Sequence, residues 1–235
     1  MDGTMDLKPH ADGGGAVTDE SPAVALCAAH ANTEPYPRTH HNWLLLLFFV
    51  SGTAALIYQI CWQRLLFESV GVDIESVTII VSTFMLGLGL GSLAGGELAD
   101  RYPRRALEMF ALVELATAAF GVFSPSLIRA ASAATVDGSL ATIAAANFGL
   151  LLVPTILMGA TLPILVSHVV HTYRNLGVSV GVLYFANTLG AALGAGLTGF
   201  VALYYLGLTA TIYAAAALNV VISATVWFAL RGTRV

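Results

Sequence analysis

Charged side chains are scarce in this chain. Only 10% of its 235 residues are Asp, Glu, Lys or Arg, whereas 57% are hydrophobic and the mean hydropathy is +0.80. Soluble globular domains carry roughly 25% charged residues, so the composition excludes that class and indicates a protein of the lipid bilayer. Lys8 is the single lysine and no basic stripe is present, which argues against a nucleic-acid partner.

Cysteine pairs, metal motifs and cofactor loops are also missing. Cys27 in the polar tail and Cys61 in an apolar run are too isolated for a metal motif or a disulfide and are read as free thiols. The triple glycine Gly13 to Gly15 has no strand before it and no helix after it, so it is not a nucleotide loop. Irregular spacing favours an unstructured tail over a metal site for four histidines: His10, His30, His40 and His41. We therefore expect neither a metal nor a cofactor.

Residues 1–41 are predicted to form a disordered cytoplasmic tail. They are rich in Gly, Ala, Pro, Asp and His and lack hydrophobic periodicity. The first apolar core begins near Trp43 and does not follow a basic start, so we expect no cleaved signal peptide. Residues 232–235 are predicted to form a short cytoplasmic tail at the other end.

Six apolar stretches are long enough to cross a bilayer. A hydrocarbon core of about 30 Å needs roughly 20 residues of helix. The stretches run from Trp43 to Phe67, Val77 to Ala99, Leu107 to Ala130, Leu140 to Val170, Val178 to Leu206 and Leu208 to Leu230. The sequence therefore predicts an all-α integral membrane domain of six transmembrane helices over residues 42–231.

The arginines favour one side of these spans. Arg64 and Arg129 alone fall on one side, whereas the other side receives Arg38, Arg101, Arg104, Arg105, Arg174, Arg231 and Arg234. By the positive-inside rule, both termini are predicted to be cytoplasmic. We expect the protein in the inner (plasma) membrane of the cell.

A weak internal repeat is visible in the glycines. The second span carries Gly87, Gly91 and Gly95, and the fifth carries Gly190 and Gly194 at the same four-residue step. Small residues let helix backbones approach closely in lipid, so packing of two helices explains the pattern. The repeat also suggests a 3+3 inverted arrangement, which builds transporter halves.

The segment after the second span has a recognisable pattern. Gly96 to Arg105 reads G-x-L-A-D-R-x-P-R-R and resembles the cytoplasmic loop motif of the major facilitator superfamily, which joins the second and third helices of a six-helix half. Pro103 stands where the family usually has glycine. Because proline fixes φ near −65°, a left-handed turn is excluded there and a different loop geometry is expected.

The motif predicts a latch between two halves. The resemblance implies that the Asp100 carboxylate meets the positive N-terminal end of a helix in a second half, while water or phosphate headgroups face Arg101, Arg104 and Arg105. This chain has no second half, so we expect two copies to pair, with Asp100 near Gly177 and Ser179 of the other copy. A plain topology anchor also explains the arginines, although it leaves Asp100 without a role.

Four further segments are similar to one family. They are SGTAALIYQICWQRLL, FMLGLGLGSLAGGELADR, VPTILMGATLPIL and LYFANTLGAALGAGLTGF. In order, they resemble the membrane portion of spermidine-synthase-like integral membrane proteins, also described as fused major facilitator/spermidine synthases. The resemblance covers Trp43 to Leu230 and implies half of a major-facilitator-like bundle. Members commonly carry a soluble aminopropyltransferase-like domain, which is not seen here, so we expect no aminopropyl transfer by this chain alone.

Glu114 is the principal candidate for a binding site. It lies nine residues past Arg105, which places it roughly 14 Å into the bilayer, on a helix face of small residues. An ionisable group at that depth is costly unless it faces water or a partner. It could bind a cation or carry a proton, and a protonated acid bonded to a neighbouring amide or hydroxyl is an equally open reading. Arg64 is too far along the first span to pair with it.

Amide side chains are the other candidates. Gln59 and Gln63 lie one turn apart, and the resemblance implies that they face a central cavity opposite Asn147; interhelical hydrogen bonds are the alternative. Asn187 and Asn219 are weaker candidates. Pro154 and Pro163 interrupt the fourth span and are expected to bend it, at a gate or merely for shape.

The sequence thus favours a half-transporter that pairs with itself or with another membrane subunit. Its expected solute is small and polar or cationic, with a polyamine suggested by family analogy alone. The alternative is a membrane anchor or scaffold for a separately encoded aminopropyltransferase-like enzyme. An intact enzyme is disfavoured because the chain shows no nucleophile, metal cluster or cofactor loop.

Overall fold

The computed structural model describes residues 38–70, 74–135, 137–173 and 176–232, and these residues are almost entirely helical. Six long helices follow one another: α1 Arg38–Val70, α2 Ile74–Arg101, α3 Ala106–Thr135, α4 Leu140–Tyr173, α5 Leu176–Leu197 and α6 Gly207–Gly232. A 3₁₀ turn, Pro103–Arg105, joins α2 to α3. A π-helical turn, Thr198–Ala202, and a last helical turn, Leu203–Tyr205, extend α5.

Six helical stretches of 22 to 33 residues, one for each long helix and the turns that adjoin it, are long and apolar enough to cross a membrane. The prediction of an all-helical, multi-pass membrane protein with six spans is therefore confirmed. Helix α1 begins at Arg38, a few residues before the expected boundary at 42, because helical hydrogen bonds do not require apolar side chains. The rest of the two predicted tails, residues 1–37 and 233–235, lies outside the described residues.

Tight turns join α2 to α3 and α5 to α6. The amide of Tyr102 donates to the carbonyl of Leu98 (3.0 Å) and the amide of Arg105 donates to the carbonyl of Tyr102 (2.9 Å), so the chain makes a right-handed turn that suits Pro103. At the start of α6, Gly207 has φ 74°, the only left-handed glycine among the described residues. A side chain there would be strained, so glycine lets α5 turn directly into α6.

Helices α2 and α4 touch through their backbones. A Cβ atom at Gly91 would collide with the carbonyl of Ile156, and one at Gly95 would collide with Ala160. In the reverse direction, a Cβ atom at Gly159 would collide with the carbonyl of Leu88. Such contact is how helices associate in lipid, where burial of apolar surface provides little driving force.

Helices α1 and α5 use the same contact in the same register. A Cβ atom at Gly190 would meet Phe49, one at Gly194 would meet Thr53, and one at Gly52 would meet Asn187. Each contact has a counterpart between α2 and α4 at the same sequence spacing. In order, the counterparts are Gly91–Ile156, Gly95–Ala160 and Gly159–Leu88. From Gly91–Ile156 to Gly95–Ala160, and likewise from Gly190–Phe49 to Gly194–Thr53, the contact advances along both helices, so each pair runs parallel.

Two apolar clusters divide the interior along the helix axes. The Trp62 cluster includes Tyr58, Trp62, Phe84, Ile128 and Leu151. The Phe48 cluster includes Phe48, Phe110, Leu165, Leu183 and Val226. On α1, α3 and α6, the residues between the clusters are polar and buried: Ser51, Glu114, Thr117 and Asn219. The fold therefore holds a polar layer between two apolar ones.

The glycine contacts predict position-specific effects on stability. Gly91→Ala should lower the free energy of unfolding by about 1–3 kcal/mol, as overpacking does, because its Cβ would meet the Ile156 carbonyl. Gly190→Ala should have the same effect at the corresponding contact. Gly89→Ala and Gly196→Ala are matched controls with no atom within 4 Å, and should be neutral or slightly stabilising. Equal thermal stability of Gly91→Ala and Gly89→Ala in detergent would contradict this packing.

Candidate functional site

A cavity of about 110 Å³ lies in the polar layer, and all six helices contribute to its wall. The apolar part of the wall includes Phe84 and Leu88 from α2 and Met158 from α4. The polar side chains are Ser51 and Gln59 from α1, Glu114 and Thr117 from α3, Thr161 from α4, Asn187 from α5 and Asn219 from α6. Polar side chains from five separate helices thus converge on one cavity in the interior of the bundle.

Glu114 is the ionisable side chain of this wall. It is 2% exposed and lies about 12 Å along α3 from its first residue, Ala106. The Ser51 hydroxyl donates a hydrogen bond to its Oε1 atom over 2.6 Å. A carboxylate can accept about four hydrogen bonds, so the serine leaves most of this capacity for whatever enters the cavity. No basic side chain pairs with Glu114 within the part of the chain that the structure describes.

Three of the polar side chains around the cavity donate hydrogen bonds to backbone carbonyls. The Thr117 hydroxyl donates to the Val113 carbonyl (2.9 Å), and the Thr161 hydroxyl donates to the Met158 carbonyl (2.7 Å). The Asn187 amide nitrogen donates to the Phe48 carbonyl over 3.2 Å, and its Oδ1 atom is the acceptor that remains. The Thr117 and Thr161 hydroxyl groups therefore offer lone pairs to the cavity.

Asn219 adds an acceptor with no partner. Its side chain is 3% exposed, and its Oδ1 atom has no hydrogen-bond partner among the described residues. An unsatisfied buried oxygen lowers stability by about 1–3 kcal/mol, so its presence beside Glu114 needs an explanation. A ligand that donates hydrogen bonds would supply one. The cavity is therefore suited to a cation or another donor-rich group.

Aromatic side chains lie on both sides of the cavity. Tyr58 and Trp62 stack with ring centroids 5.0 Å apart, and Trp62 lies 6.2 Å from Phe84, which also lines the cavity. On the other side, Phe48 and Phe110 meet edge to face at 6.3 Å. The Trp62 indole nitrogen donates to the Ser124 hydroxyl (2.8 Å), which fixes α1 against α3.

Three of the five predicted binding residues line the cavity: Gln59, Glu114 and Asn187. Gln63 is half-buried and lies outside its lining. Asn147 is buried elsewhere on α4, where its amide nitrogen donates to the Ile143 carbonyl over 2.9 Å. The rotation of each helix against its neighbours determines which side chains reach the cavity. Gln59 and Gln63 therefore differ, although they lie one turn apart on α1.

The helix-kink candidates flank the α4 part of the cavity. Pro154 and Pro163 lie on either side of Met158 and Thr161, and α4 stays helical across both. The sequence interpretation missed Ser51, Thr117 and Thr161 as lining residues. Serine and threonine commonly bond back to the carbonyls of their own helix, as Thr117 and Thr161 do. Their presence in an apolar span therefore does not identify lining residues.

The loop motif is separate from the cavity. Gly96 is half-buried, and a Cβ atom built on it would lie 4.0 Å from Pro163. Asp100 is exposed at the end of α2 and has no hydrogen-bond or ion-pair partner within the described ranges. The guanidinium of Arg101 lies 6.0 Å from the Tyr102 ring centroid, and Arg104 and Arg105 are exposed.

No family model, curated protein or solved structure matches this chain. Among the described residues, no group of three His, Cys, Asp or Glu side chains could hold a metal ion.

The unequal bonding of the two asparagines is testable. Asn219→Leu should raise the free energy of unfolding by about 1 kcal/mol or more, because it removes a buried oxygen that lacks a partner. Asn187→Leu is the matched control and should lower stability, because it removes the bond to the Phe48 carbonyl. Thermal unfolding in detergent measures both. A destabilising Asn219→Leu would show that the Asn219 amide is bonded in the folded protein.

Proposed function

We propose that this chain is a six-helix, major-facilitator-like half-transporter that handles a small cationic or polar solute in the cavity around Glu114. The observation that carries the proposal is a buried carboxylate, 2% exposed, in a cavity that also presents the unpartnered Oδ1 atom of Asn219. An ionisable residue inside a membrane protein marks a solute or ion pathway more often than a structural contact. The donor that such a site takes best is a protonated amine or another small cation.

Cavity size limits how much of a solute is enclosed. An apolar cavity of about 150 Å³ holds benzene, and this cavity measures about 110 Å³. One ammonium group with its first carbon atoms fits that space. A polyamine would therefore enter one amine group at a time, with Glu114 and Asn219 accepting hydrogen bonds from it.

The helix contacts support the inverted repeat that a transporter half requires. In a 3+3 repeat, α1 corresponds to α4 and α2 corresponds to α5. The α1–α5 pair then corresponds to the α4–α2 pair, and the glycine contacts of the two pairs match in register. In the same repeat α3 corresponds to α6, and these two helices pack against each other. Two three-helix units that face opposite directions in the bilayer would produce such a pattern.

The charge distribution supports cytoplasmic termini in an inner (plasma) membrane. The exposed arginines at one end of the bundle are Arg101, Arg104, Arg105 and Arg231, and those at the other end are Arg64 and Arg129. The end richer in arginine is proposed to face the cytoplasm.

Asp100 supports pairing with a second six-helix unit, a second copy or another subunit. Its carboxylate is exposed and has no partner within the described ranges, and a helix N-terminus on another chain would stabilise it. Large apolar side chains are exposed on α5 and on the π-helical turn that extends it, such as Phe185 (66%) and Phe200 (86%), and leave this segment free for lipid or for a partner.

Transport is tested in liposomes that contain the purified protein. We expect uptake of radiolabelled methylammonium, and Glu114→Gln should reduce it by at least about tenfold, because a transmembrane carboxylate that binds a cation loses its charge. Glu97→Gln is the matched control, since Glu97 is exposed on α2 outside the cavity, and should leave uptake unchanged.

The same experiment separates transport from scaffolding. No uptake of methylammonium or of a polyamine by the folded wild-type protein would overturn the proposal. Co-purification with a soluble aminopropyltransferase-like protein, unaffected by Glu114→Gln, would instead indicate a membrane anchor.

Pairing is tested by disulfide cross-linking between differently tagged copies. In a background of Cys27→Ser and Cys61→Ala, co-expressed Asp100→Cys and Ser179→Cys chains should form a covalent dimer in membranes, because both positions lie at the same end of the bundle. Glu68→Cys with Ser179→Cys is the control and should not cross-link, since Glu68 lies at the opposite end of α1. Monomers alone in both experiments would contradict pairing at this face.

A further inference from the structure

A second concave surface lies between α3 and α6, separate from the central cavity. It is a groove of about 460 Å³ on the outside of the bundle. Its walls are mostly apolar and come from Leu112, Leu115, Val220, Ala224, Trp227 and Phe228, with Arg231 at one end. At its floor the Ser223 hydroxyl donates to the Ala111 carbonyl over 2.8 Å, which holds the two helices together.

The charged end of the groove is built around Arg231. This arginine is exposed in the last turn of α6, and its guanidinium lies 5.8 Å from the centroid of the Trp227 ring. A cation–π contact of this kind holds the guanidinium over the mouth of the groove. An adjoining hollow of about 340 Å³, lined by Glu108, Trp227, Leu230 and Arg231, widens this end.

The groove has the depth of one membrane leaflet. From Arg231 to Val220 the α6 helix rises by about 16 Å, and half of a hydrocarbon core is about 15 Å. Arg231 therefore lies at headgroup level when the apolar wall reaches the bilayer centre. Trp227, one turn below it, occupies the interfacial position that tryptophan prefers in membrane proteins.

We infer that this groove binds an anionic glycerophospholipid. Its phosphate accepts hydrogen bonds from the Arg231 guanidinium, which suits a phosphate better than a point charge would. One acyl chain lies along the apolar wall between Leu115 and Phe228. Basic pockets between transmembrane helices recognise anionic headgroups in this way, and a free phosphate would gain nothing from the apolar wall.

Native mass spectrometry of the detergent-solubilised protein tests the inference. With phosphatidylglycerol and phosphatidylcholine of identical acyl chains, the wild type should retain the former preferentially. Arg231→Gln should reduce phosphatidylglycerol retention about fivefold, which corresponds to ~1 kcal/mol for one arginine at an anionic surface. Arg129→Gln is the matched control, an exposed arginine on α3 beyond the groove, and should change nothing.

Two further variants separate the charge from the groove. Ala224→Phe should reduce retention of both lipids, because it fills the apolar wall without changing the charge. Arg231→Lys keeps the positive charge and should keep most of the preference for phosphatidylglycerol. If it does, the loss in Arg231→Gln is caused by the missing charge and not by misfolding. Equal retention of the two lipids by the wild type, equal loss in Arg129→Gln and Arg231→Gln, or unchanged retention in Ala224→Phe would each overturn the inference.

Discussion

Backbone contact between helices is the constraint on which this structure depends. Lipid tails are as apolar as leucine side chains, so removing apolar surface from lipid contributes little to helix association. The free energy of association must come from close packing. The glycines on α2 and α5 lie where the carbonyl groups of α4 and α1 come so near that a methyl group would not fit. Both contacts use the same register, and they place α1, the most enclosed helix, against the least enclosed, α5.

That packing permits a polar layer in a protein that is otherwise apolar inside. The Trp62 and Phe48 clusters supply rigid apolar contact on each side, so the layer between them does not have to hold the bundle together. The Ser51–Glu114 bond in the cavity wall and the Trp62–Ser124 bond beyond it both join α1 to α3 and fix their register. The acceptors of Glu114 and Asn219 are then free to serve a ligand.

Much of the fold was predictable, because length and hydropathy determine what crosses a bilayer. The depth of Glu114 followed from helical rise, and its burial followed from the small residues on the same face. Gln63 and Asn147 show the limit: their depth was known, but the rotation of each helix against its neighbours depends on contacts between distant segments. The π-helical turn at Thr198–Ala202 was not predicted either, since the sequence there is a continuous apolar run.

Helix α3 presents adjacent residues to two different surfaces. Glu114 faces the interior, and Leu115, the next residue, faces the bilayer side of the bundle. A helix transmits rotation along and around its axis as a rigid rod, so both surfaces respond to any turn of α3. If a molecule bound at one surface favoured one orientation of α3, it would shift the affinity of the other surface for its own ligand, and thermodynamic reciprocity would make the two shifts equal.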